Sequence, residues 1–200
     1  MDGKTIGEMN FLVNGSNLEK FLYNLKSSSE DKFEFDLIYQ KTENESELSK
    51  IIAQKFYNNN ISEYNINKIC KNCFKNVSTV ENLTINTNLS LQIEQFAFEN
   101  CSKLKTIIFD IKDEDLTIQS DAFKSCNELD CVHIKSASKI TIEKDAFSQC
   151  YNLRVLILDS DNVEIRENAF ESLNNLCIVC KNNNVVKEYC SKNNVEYKEL

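Results

Sequence analysis

Cysteine, histidine and clustered carboxylates are the residues through which this 200-residue chain could do chemistry. Two Cys-x-x-Cys pairs, Cys70/Cys73 and Cys177/Cys180, have the spacing of a zinc knuckle or a dithiol couple. The single histidine, His133, stands two residues from Cys131, which raises the question of a nucleophilic Cys–His pair. The run Asp110 to Asp115, reading DIKDED, gathers carboxylates of the kind a hard cation takes as ligands. Whether any of these groups converge depends on the elements that carry them.

Those elements come from an internal repeat. The pairs Ala97-Phe98, Ala122-Phe123, Ala146-Phe147 and Ala169-Phe170 are each followed three residues later by Cys101, Cys126, Cys150 and Leu173, and three further on by Leu104, Leu129, Leu153 and Leu176. A degenerate first copy runs Cys73-Phe74, Val77, Val80, so the Phe positions step by 24, 25, 24 and 23 residues. After each copy comes a period-two stretch: Leu83/Ile85, Ile107/Phe109, Val132/Ile134, Leu156/Leu158. A second alternating pair precedes each turn: Leu91/Ile93, Leu116/Ile118, Ile140/Ile142, Val163/Ile165. Alternation over so few residues describes strands with one buried face. Each unit therefore predicts two brief strands joined by an Ala-Phe turn, and neither can bury its apolar side alone. Stacking the units side by side solves this, at about 4.8 Å per rung, and lines Phe98, Phe123, Phe147 and Phe170 into an internal ladder. Cys101, Cys126 and Cys150 then form a parallel column of thiols acting as small buried hydrophobes.

In these residues the chain resembles the BspA-like class of leucine-rich repeats, whose coils read approximately I-x-x-x-A-F-x-x-C-x-x-L-x-x-I-x-I. Ile118 to Ile134 (IQSDAFKSCNELDCVHI) and Ile142 to Leu158 (IEKDAFSQCYNLRVLIL) match it nearly position by position, and the resemblance covers about residues 66 to 200. The Pro and Gly that the class places after the strand are absent, and Cys73 and Leu173 stand where Ala and Cys are expected. The resemblance implies a protein-binding surface, often at a cell exterior.

The stack decides the chemistry. Four rungs separate the two Cys-x-x-Cys pairs by roughly 19 Å, which zinc–sulfur bonds near 2.3 Å cannot span, so no metal ligands and no cofactor are expected. Cys131 and His133 point the same way along one strand about 6.6–7 Å apart, beyond hydrogen-bond reach, and no orienting carboxylate accompanies them. The DIKDED run fits no calcium-loop register and reads as a solvated turn. No Gly-rich phosphate loop is present, and catalytic residues are not expected.

The expected architecture is α/β in class: a short solenoid of four to five coils, mostly β, over residues 61–180, with an N-terminal βαβα segment over 1–60 and a helix-strand cap over 181–200. In the N-terminal segment Met9, Phe11 and Val13 alternate, Leu18 to Leu25 follow helical spacing, Phe33 to Tyr39 alternate, and Leu48 to Phe56 read as a second helix. About 60 residues are marginal alone, so this segment is expected to dock on the first coil, with Asn58-Asn59-Asn60 as the boundary. At the other end Val185, Val186, Tyr189 and Cys190 predict one apolar helical face, with Val195 and Tyr197 alternating after it.

A net charge of -8 repels phosphate backbones, which argues against nucleic acid. No basic stretch followed by an apolar core opens the chain, and no run of about 20 apolar residues could cross a bilayer. Nine cysteines without such a signal point to free thiols in a reducing compartment. A cytoplasmic monomer that binds a protein partner without enzymatic chemistry is expected. The alternatives are a cell-surface adhesin-like protein, as the resemblance implies, and a repeat scaffold for a regulatory or catalytic N-terminal segment. If the L-x-x-φ-x-φ strands line the concave side, Thr84, Thr106, Ile108, Cys131, His133, Val155 and Ile157 form the partner surface, a mixed apolar and polar strip.

Overall fold

A computed structural model describes residues 66–69, 71–78, 80–171 and 173–200, together with the backbone of a short strand at Phe33–Phe35. The other expectations for residues 1–60, the Asn58 boundary and Cys70 lie outside the described residues.

Within them the chain winds as a β-solenoid of about five turns. One strand of each coil joins a first parallel sheet: β1 (Phe33–Phe35), β2 (Ile66–Ile69), β4 (Leu91–Ile93), β6 (Asp115–Ile118), β8 (Lys139–Ile142) and β10 (Val163–Ile165). The other joins a second: β3 (Asn82–Asn86), β5 (Thr106–Asp110), β7 (Cys131–Lys135), β9 (Val155–Leu158), β11 (Cys177–Cys180) and the closing β12 (Glu196–Glu199). Every pairing is parallel because each coil runs the same course as the last. Repeat positions therefore meet in register, as in Leu91↔Leu116↔Ile140↔Val163 on one side and Ile107↔Val132↔Leu156↔Ile178 on the other.

The core lies between the sheets, and the expected ring ladder runs through it. Phe74, Phe98, Phe123, Phe147 and Phe170 stack at centroid separations of 4.9, 4.8, 5.0 and 5.4 Å, their planes nearly parallel until the last step tilts by 17°. That spacing is the strand spacing, so ring stacking and backbone pairing are satisfied by one geometry. Each ring is buried, and each contributes on the order of 1.5–3 kcal/mol. The fully buried alanines let the turns approach closely enough to bond: Phe98 N–H donates to Ala122 O, Phe123 N–H to Ala146 O and Phe147 N–H to Ala169 O.

The thiol column has its own bonding. Cys101 Sγ donates to Phe74 O at 3.1 Å, Cys126 Sγ to Phe98 O at 3.1 Å and Cys150 Sγ to Phe123 O at 3.0 Å, one coil back each time. These carbonyls also accept the amide three residues on, and the thiol fills the remaining lone pair. Leu173 ends the column with apolar packing against the core.

Among the described residues the turns carry left-handed backbone without glycine. Two residues on either side of each ladder Phe, the backbone is left-handed: Asn72 and Asn76, Phe96 and Asn100, Asp121 and Ser125, Asp145 and Gln149, and Asn168, with φ between 57° and 64°. Asn and Asp accept this region through local hydrogen bonding, whereas a bulky residue such as Phe96 is strained there. The ammonium groups of Lys71 and Lys75 each lie 5.6 Å from the Phe96 ring centroid.

The C-terminal end is closed by α1 (Asn184–Asn193) and β12, which pairs with β11. Asn183 caps the helix, its Oδ1 accepting from Val185 N–H and Val186 N–H while its Nδ2 donates to Asp161 O in the preceding coil. Tyr189 stands edge-on to Phe170 at 6.1 Å and covers the last ring. One expectation is corrected here: Val185 is 54% exposed and does not belong to the buried face. A helix lying on the end of a solenoid hides only a narrow i, i+4 stripe, which Val186 and Cys190 supply.

Candidate protein-binding face

Each sheet has an outward face built from the residues that alternate with the core. On the second sheet the register sets Thr84, Ile108, His133 and Ile157 side by side, and Thr106, Cys131 and Val155 beside them. All seven expected surface residues thus form two adjacent rows, each half-buried between its neighbours. The rows continue through Val179 and Cys177 on β11. These two were missed because the last unit is one residue shorter between Leu176 and its strand, although the alternation CIVC was there to be read.

The remaining chemical candidates take bland places. Cys177 and Cys180 lie three apart on one strand, so their side chains leave it on opposite faces and cannot grip one ion. Cys73 is buried, and desolvation pushes its thiol up to about 12. Among the described residues no three His, Cys, Asp or Glu side chains gather as a metal would require. Burial and the carboxylate of Asp130 raise the Cys131 thiol, while burial and Lys135 lower the His133 imidazole against the opposing pull of Asp159. An activated thiolate–imidazolium pair needs both shifts reversed. Asp110 ends β5, Asp115 begins β6, and between them Lys112 and Asp113 turn through left-handed backbone, with Lys112 Nζ 3.0 Å from Asp110.

Two columns of charge border the face, and each changes sign from coil to coil. At the leading ends of the strands stand Glu81, Lys105, Asp130 and Arg154, each linked to the one before by a backbone bond. Lys105 Nζ lies 2.9 Å from Glu81, and Arg154 holds Asp130 through two guanidinium bonds. That fork keeps the Asp130 carboxyl below its usual range. At the trailing ends stand Asp110, Lys135, Asp159 and Lys181, the last 3.0 Å from Asp159, whose carboxyl it lowers in the same way.

The first sheet's outward row is different in kind: Lys68, Gln92, Thr117, Thr141 and Glu164. A shallow depression of about 500 Å³ beside it is lined by Gln92, Gln95, Thr117, Gln119, Ser120 and Glu143. No apolar side chain is among them.

Among the described residues, no helix is long and apolar enough to cross a membrane. No curated protein and no solved structure shows significant similarity to the chain. A family model described as a BspA type leucine rich repeat region matches it in six copies, over residues 4–116 and 67–198. The match thus reaches back to residue 4, beyond the residues whose repeats are plain by eye. With the coil length, the Ala-Phe turns and the stacked rings in agreement, the chain is a member of the BspA-type leucine-rich repeat family.

Proposed function

We propose that this protein is a non-enzymatic interaction module that binds a protein partner through the outward face of its second sheet. The observation that carries this reading is the contrast between the two faces: one row presents Ile108, His133, Ile157 and Val179, and its counterpart presents only polar and charged groups. Single exposed apolar residues are ordinary, but a contiguous row bordered by charge is the composition of a docking site. Covering the exposed part of one such isoleucine contributes on the order of 1 kcal/mol, so a few such residues in a rigid frame make useful affinity.

Affinity capture comparing wild type with Ile108→Glu/Ile157→Glu tests the reading. The expected result is loss of bound partners by a variant with an unchanged melting curve. Equal recovery by both forms would show that binding lies elsewhere. A reducing compartment suits this chain, because the buried thiols act as hydrogen-bond donors and donate only in their reduced form. Cell fractionation checks that placement.

A further inference from the structure

We infer that the partner fitting this face is a second copy of the same chain, packed sheet to sheet about a two-fold axis running along the stack. The inference rests on the binding-face reading above and adds the occupant. Its basis is the way the charge columns are paired across each strand. β5 begins beside Lys105 and ends at Asp110; β7 begins beside Asp130 and ends at Lys135; β9 begins beside Arg154 and is followed by Asp159. Each strand therefore carries one charge of each sign at its two ends, and the order flips with every coil.

A two-fold axis along the stack lays each coil against the same coil of the other copy with the strand direction reversed. Leading ends then meet trailing ends: Lys105 meets Asp110, Asp130 meets Lys135, and Arg154 meets Asp159. All three coils match, in both directions at once, as an isologous interface requires. The apolar row through Ile108, His133 and Ile157 lies near the axis and meets itself.

Net charge points to the same place. Two copies at -8 each repel, whereas the two bordering columns alternate and cancel, so this is a surface where like can meet like at little electrostatic cost. A partner of strong opposite charge would find no uniform field here. The face is small, roughly 20 by 17 Å from five rungs and five-residue strands. That is below the ~800 Å² per partner of standard complexes, so the dimer is weak and concentration-dependent, with a dissociation constant above about 1 µM.

Column inversion tests it. The leading-end variant Glu81→Lys/Lys105→Glu/Asp130→Lys/Arg154→Glu keeps alternation within the chain but sets like against like across the axis. The trailing-end variant Asp110→Lys/Lys135→Glu/Asp159→Lys/Lys181→Glu does the same from the other side. In sedimentation equilibrium wild type should dimerise, each variant alone should associate at least about tenfold more weakly, and an equimolar mixture of the two should regain the dimer. A wild type that stays monomeric up to about 1 mM, beyond the range of weak specific complexes, overturns the inference. So does a variant that dimerises as wild type does, or a mixture that fails to recover while wild type dimerises.

A lighter change guards against variants that do not fold. With Cys131→Ser and Cys177→Ser removing the thiols of the face, His133→Cys should cross-link to itself through a short bis-maleimide, and Thr117→Cys on the opposite face should not. Cross-linking from position 117 alone contradicts the geometry. If wild type remains a monomer while Ile108→Glu/Ile157→Glu still loses a captured partner, the second copy is refuted and the binding face stands.

Discussion

Along the first sheet the outward row runs Lys68, Gln92, Thr117, Thr141, Glu164; along the second it runs Thr84, Ile108, His133, Ile157, Val179. Both rows sit on parallel strands of the same coils, over one core, with the same alternation of buried and half-buried positions. Packing therefore constrains their inner neighbours alike and leaves the outer residues to be settled by what lies beyond them. Water alone favours threonine, glutamine and charge, which is what the first sheet displays. The second sheet keeps Ile108, Ile157 and Val179 facing outward instead, and on the reading proposed above this difference between otherwise equivalent faces marks the binding side.

The largest expected effect abolishes the contrast by destroying what the faces share. Phe123 stacks on Phe98 and Phe147 and meets Phe109 edge-on at 6.3 Å, so Phe123→Ala should cost about 3–5 kcal/mol. Urea unfolding should show one cooperative transition at a lower midpoint, because each coil is held only by its neighbours. A loss below about 1 kcal/mol would mean the ring does not hold the two sheets together.

Exchanging side chains between the faces sharpens the comparison. Ile108→Thr/Ile157→Thr should weaken partner affinity at least about tenfold, with unfolding changed by no more than roughly 0.5 kcal/mol per site. The converse pair Thr117→Ile/Thr141→Ile should leave that affinity as it was. Equal effects from the two pairs would erase the distinction. At the corner where the sheets join, Phe96→Asn should raise stability by about 1 kcal/mol in thermal unfolding, since it relieves left-handed strain. A fall in stability would show that the contacts of Lys71 and Lys75 with the ring outweigh that strain.

The smallest effect distinguishes thiols by the face they occupy. Half-buried Cys131 should be alkylated in the native state before Cys101, Cys126 and Cys150, which are buried in the core. Its rate should be slow at neutral pH and keep climbing about tenfold per pH unit past the ordinary thiol value, because burial and Asp130 hold its pKa up. Peptide mass spectrometry after timed quenching reads this directly. Core cysteines modified at the same rate would mean the coils open as readily as the surface is reached.

The repeat, the ring ladder and the outward placing of the seven-residue strip are legible because inward positions recur in type: Phe follows Ala, Leu follows Cys or Leu, and branched residues alternate between. Three things were harder to read. The left-handed positions share a backbone angle but no residue type, being filled by Asn, Asp, Ser, Gln and Phe, so no motif announces them. The charge columns reverse sign at every coil, and a reader searching for likeness between units passes over systematic unlikeness. The cap helix looked wider on its apolar side than it is, because Val185 counts as hydrophobic in sequence while its place near the helix start leaves it in solvent.

The alternating columns give the solenoid two different wavelengths. Rings return with every coil and the thiol with each of the three central ones, whereas charge returns only with every second coil. Copying a single coil of some 24 residues into the middle of the array would preserve the interior yet bring two like charges together at a seam on each border, as Asp130 beside a second aspartate would be. Copying two coils would leave every neighbour pair intact. A chain of this kind lengthens most smoothly by even numbers.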